Sequence, residues 1–196
     1  MLPTKDSRFA ALTFTFKILV AEIRTLFPSP DGALVSKVSN LNKLESKDLV
    51  NGIFSTGQLT DMQCPFCRIT EEGASHLFFH CCKIQPIWWD TMSWLQIKGA
   101  FPFSPKQHFL HHFGVQLDGV RTKRWQYWWL ALTWSIWKLR NNIAFSNATF
   151  NANSLFEDAT FLLWSWLRSF EKDFTVHFNQ WASSFTQSFM QQQRIT

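Results

Sequence analysis

From Trp125 onward the chain is patterned for helix. Trp125, Trp128, Leu132, Ile136, Leu139 and Ile143 recur at steps of three and four, so one apolar stripe runs down a helix about five turns long. Ser154 then opens SLFE, where a Ser three residues before Glu157 has the form of a capping box and Asp158 adds negative charge at the positive helix end. The stripe that follows, Leu155, Ala159, Leu162, Trp166, Phe170 and Phe174, continues through Phe178, Trp181, Phe185 and Phe189, with TVHFNQW lowering helix propensity enough to bend or break it. FSNATFNANS, rich in Asn and Ser, reads as the turn between the two helices. The last Pro is Pro105 and the last Gly is Gly119, so nothing breaks helix beyond that point. An antiparallel helical hairpin is the simplest arrangement.

Upstream the pattern weakens. Residues 99–119, GAFPFSPKQHFLHHFGVQLDG, carry prolines and glycines and read as an irregular connection. In the first 40 residues LTFTFKI alternates like a half-buried strand, while IRTLF followed by PSPDG suits a short helix and turn equally well.

Composition narrows the class. With 46% hydrophobic residues, 11 Trp and 21 Phe, the chain must bury rings against itself or a partner, and 196 residues accommodate one domain with an appended element. The net charge of +5 tilts it mildly toward polyanions. The uncharged run from Trp125 to Trp137 falls short of the roughly 20 residues a bilayer-spanning helix needs, so no membrane association is expected. FAALTFTFKILVA is interrupted by Lys17 and lacks a following cleavage site, which argues against a secretory signal.

All four cysteines fall in CPFCRITEEGASHLFFHCC, residues 64–82, together with His76 and His80. Thiols packed beside histidines look like metal ligands more than a disulfide framework, and their natural home is a reducing intracellular compartment, nucleus or cytoplasm. Cys64 and Cys67 form a C-x-x-C turn whose side chains can converge on one Zn2+, and His76 with Cys81 can return the second pair from a helix start or tight turn. The set is then C-x2-C-x8-H-x4-C. His80 or Cys82 can replace its neighbour on spacing alone, and the plain alternative is a pair of buried thiols beside a satisfied histidine. The expected fold is mostly α: a small zinc-stabilised module followed by a tryptophan-rich antiparallel helical hairpin.

The run CPFCRITEEGASHLFFHC followed by IWWDTMSWL resembles the zinc-binding domain found downstream of the reverse transcriptase in plant LINE-type, non-LTR retrotransposon polyproteins. The matching positions are Cys64, Pro65 and Cys67, the acidic pair Glu71 and Glu72, His76, Leu77 and Phe78, Cys81, and Trp88 or Trp89. ESKDLVNGIF at 45–54 is similar to the helix and turn that precede the first cysteine pair in that family, with Asn51 where a basic residue is common, and WWLALTWSIWKLRNNIAF resembles the spacer that follows. The likeness covers roughly residues 41–147. It implies four segments: 1–40, which match no pattern; 41–98, the zinc-binding domain; 99–120, an irregular linker; and 121–190, the helical hairpin. It also implies that Cys64, Cys67, His76 and Cys81 are the ligands, that the module helps handle template RNA or target DNA, and that no catalytic residue carries over.

The residues themselves agree that chemistry is not expected. There is no Asp-Asp pair for a polymerase, and Glu157, Asp158, Glu171 and Asp173 lie on one late helix where charge pairing explains them better than a ribonuclease H site. Four protein ligands would close a zinc site to water, the H-x-E motif of deaminases is absent, and Glu71 and Glu72 read as a solvated loop. For binding, Arg121, Lys123, Arg124, Lys138 and Arg140 surround the tryptophan-rich helix, where cations would meet phosphates and rings would stack on bases. Core packing is the simpler role for Trp125, Trp128 and their neighbours. A different class of reading puts Trp129, Trp134 and Trp137 on a second face that docks on a related element's polymerase domain or on another copy, and a third takes the chain as a truncated remnant with no selected activity.

Overall fold

The computed structural model describes residues 63–97, 99–117 and 120–190. The readings made for residues 1–40, and for the 45–54 helix and turn, lie outside these. Among the described residues the chain is helical, with a single isolated bridge, Gln63–Glu71, in place of any strand. The elements are a π-helical turn (His76–His80), α1 (Gln85–Trp94), α2 (Pro105–Phe113), α3 (Val120–Ser146), α4 (Ala152–Phe170), α5 (Phe178–Ser183) and α6 (Phe185–Met190). Residues 63–196 form one compact unit. No helix among the described residues is long and apolar enough to cross a membrane.

α3 and α4 are the hairpin. Arg124 near the start of α3 pairs with Glu171 at the end of α4, and Tyr127 meets Phe170, so the two run antiparallel. α3 has 27 residues, about seven turns rather than five, because nothing from Val120 to Ser146 breaks the hydrogen-bond ladder. The expected stripe is buried through Trp125, Trp128, Leu132 and Ile136. The opposite face is buried too: Trp129, Trp134 and Trp137 are at most 5% exposed. A helix apolar all round belongs inside a protein, so these rings offer no free docking face.

Three local readings are corrected. The segment 99–119 contains α2, opened by a capping box in which Ser104 Oγ accepts from the Gln107 N–H and Gln107 accepts from the Ser104 N–H, with Pro105 in the first turn. α4 is capped by Asn151, whose Oδ1 accepts from the N–H groups of Asn153 and Ser154, rather than by Ser154. The long second stripe ends at Phe170, and α5 and α6 fold back so that Phe185 and Phe189 pack on Trp94 beside Trp125 and Trp128.

α2 brings two histidines into this aromatic core. His108 stacks on Phe79 at 4.1 Å and its Nδ1 accepts the Trp129 indole N–H. His112 lies flat on Trp125, 4.0 Å away, and donates to the Trp125 carbonyl oxygen.

Candidate metal centre

The first half of the cluster is a tight loop. The Arg68 N–H donates to the Cys64 carbonyl, the Cys64 N–H to the Thr70 carbonyl, and Arg68 takes a left-handed φ of 55° that turns the chain back. This aims the N–H groups of Phe66 and Cys67 at the Cys64 sulfur and those of Ile69 and Thr70 at the Cys67 sulfur. N–H groups directed at sulfur stabilise thiolate.

The second half is the π-helical turn. In an α-helix, positions five apart are about 140° out of line. Here the Cys81 N–H donates to the His76 carbonyl five residues back, and that wider turn brings His76 and Cys81 to one side. Leu77, Phe78 and Phe79 between them are buried, and the Trp88 indole N–H donates to the Phe78 carbonyl, so the turn is anchored in the core.

The ligand atoms of Cys64, Cys67, His76 and Cys81 all lie within 4.8 Å of one another. Cys64 Sγ is 3.8 Å from Cys81 Sγ, and Cys67 Sγ is 3.4 Å from His76 Nε2. A disulfide would need about 2.05 Å. A tetrahedral ion with bonds of about 2.3 Å to sulfur and 2.0–2.1 Å to nitrogen requires edges of roughly 3.8 Å and 3.5 Å. The four residues therefore form a cluster that can hold a metal ion.

Its electrostatics point the same way. Cys64 is drawn down to about 6, first by the neighbouring Cys81 thiol and then, against burial, by its N–H donors. Burial pushes Cys67 up, but the N–H groups of Ile69 and Thr70 and the His76 ring outweigh it and leave it below the usual thiol range. Cys81 is pushed up, first by Cys64 and then by burial. Two sulfurs thus share one proton, and only a cation between them lets all three cysteines ionise together.

His80 and Cys82 stand apart from this cluster. The His80 Nε2 faces the carbonyls of Pro102 and Phe103, and Cys82 is exposed.

The five basic residues separate sharply. Arg124 is buried with Nε and Nη2 on the Glu171 carboxylate, and Arg140 is buried with Nε and Nη2 on Glu72 at 2.7 and 2.8 Å. Both guanidinium groups are committed to carboxylates, and Glu72 is an ion-pair partner rather than part of a solvated loop. Arg121 donates to the Phe189 carbonyl, while Lys123 and Lys138 are exposed. No sequence signal could have paired Glu72 with a residue 68 positions away.

Compared with known protein families, curated proteins and solved structures, the chain matches none.

Proposed function

We propose that the chain binds one Zn2+ through Cys64, Cys67, His76 and Cys81, and that the ion holds the 64–95 region folded. The observation that carries this reading is the convergence of three sulfurs and one imidazole nitrogen at tetrahedral spacing. Three thiolates and a histidine in that geometry favour zinc over magnesium, calcium or manganese, which prefer oxygen ligands. Four protein ligands leave no position for water, so the role is structural and the module has no catalysis of its own.

The likeness of CPFCRITEEGASHLFFHC to the zinc-binding domain of plant LINE-type polyproteins supports a further reading, that the module assists in handling RNA or DNA. Of the five basic residues named for that role, exposed Lys123 and Lys138 are placed to meet phosphates.

Metal analysis of the purified protein tests the first reading. One zinc per chain is expected, lost on Cys64→Ser and on His76→Ala but retained on Cys82→Ser. Retention after both of the first two changes would refute the ligand assignment. The nucleic-acid reading requires salt-dependent binding to RNA or DNA whose salt slope falls by about 1 for each of Lys123→Gln and Lys138→Gln. Binding insensitive to both changes would sink it.

A further inference from the structure

Resting on the metal reading above, we propose that Arg140 is a positioning residue for the metal centre: through Glu72 it ties the loop between the two ligand pairs to α3. Glu72 lies between Cys67 and His76, and its carboxylate takes both Nε and Nη2 of Arg140. Side-chain exposure is 10% for Arg140 and 14% for Glu72, so solvent competes little with this bidentate pair. Three residues earlier on the same face of α3, Trp137 stacks on Phe78 at 6.4 Å, and Phe78 lies between the other two ligands, His76 and Cys81. The Arg140 guanidinium itself sits 5.9 Å from the Trp137 ring centroid.

One turn of α3 therefore holds both chain segments that connect ligands, although none of its residues touches the ion. A loop of eight residues separates Cys67 from His76. Without the clamp, ordering that loop falls to metal binding, and affinity drops by the cost. Partners that orient ligands from outside the coordination sphere contribute about 10- to 100-fold to metal affinity, and that is the size expected here.

The test is zinc affinity of the full chain, read by competition with a chromophoric zinc chelator, with helicity followed in parallel. Arg140→Gln and Glu72→Gln should each weaken zinc binding about 10- to 100-fold. The pair of changes together should be no worse than either alone, and Arg140→Lys should fall between them and the unaltered protein. Arg124→Gln is the control, because it breaks the other buried ion pair of α3, with Glu171. It should lower thermal stability while leaving zinc affinity unchanged.

The clamp is overturned if Arg140→Gln and Glu72→Gln bind zinc as tightly as the unaltered protein, or if Arg124→Gln weakens binding equally. Should Arg140→Gln fail to fold, Arg140→Lys and Glu72→Gln decide the matter on the same criterion. An unaltered protein that holds no zinc at all overturns the metal reading and the clamp with it.

Discussion

The two histidines in the aromatic core should make the protein acid-labile. Burial, then the neighbouring His112, His111 and His80, hold His108 down at about 2. Burial also holds His112 down, to about 3, against the upward pull of its bond to the Trp125 carbonyl and with a smaller push from His111. Protonating His108 in place would set a second donor against the Trp129 indole N–H that its Nδ1 accepts. An unfolded histidine titrates near 6.5. Below that pH the unfolded chain binds protons that the folded chain refuses, so stability falls as pH falls. Each residue contributes about 1.4 kcal/mol per pH unit, hence about 2 kcal/mol by pH 5 and roughly 4 for the two. That is a large share of the 5–15 kcal/mol typical of a domain.

Guanidinium denaturation at pH 7, 6 and 5 measures the loss. The comparison is the double variant His108→Gln with His112→Gln, since glutamine keeps an acceptor for the Trp129 N–H but does not titrate. Losses from protonating the metal ligands occur in both proteins and cancel in the difference. The unaltered protein should lose roughly 4 kcal/mol more than the double variant between pH 7 and 5, and each single variant should recover about half. Stability curves that fall in parallel would refute the assignment of these histidines as buried and neutral.

Three other outcomes follow from the packing. A strong zinc chelator should strip amide-exchange protection from residues 64–95 while α3 and α4 keep theirs, because the ligand loops lack a core of their own, and uniform retention of protection would argue against a structural ion. Arg124→Ala leaves the Glu171 carboxylate part-buried without its partner and should cost about 3 kcal/mol in denaturant unfolding, much of it recovered by Arg124→Met with Glu171→Leu. Asn151→Ala removes the acceptor for two N–H groups at the start of α4 and should cost about 1 kcal/mol, whereas Ser154→Ala should cost less, reversing the order that the SLFE motif suggests.

What sequence alone could determine follows from interactions that are short in the chain. The C-x2-C turn and the His76–Cys81 return are set within 18 residues, so spacing and ligand chemistry suffice to propose the cluster. The helical stripe from Trp125 to Ile136 is legible for the same reason, since its period is a property of one segment. SPKQ carried a legible cap for α2 in the middle of a segment that its prolines and glycines made look irregular.

Tertiary structure decided the rest. Whether His80 or Cys82 joins the ligands depends on the 102–103 carbonyls, which capture His80, and on the π-helical turn, which aligns Cys81 with His76. Whether Arg124 and Arg140 face phosphates depends on Glu171 and Glu72, which lie 47 and 68 positions away. Whether Trp129 is a surface depends on the rings of α2 and the π-helical turn that close over it. Charge and ring identity are local, but what a charge or ring meets is settled by which distant segments the core brings beside it.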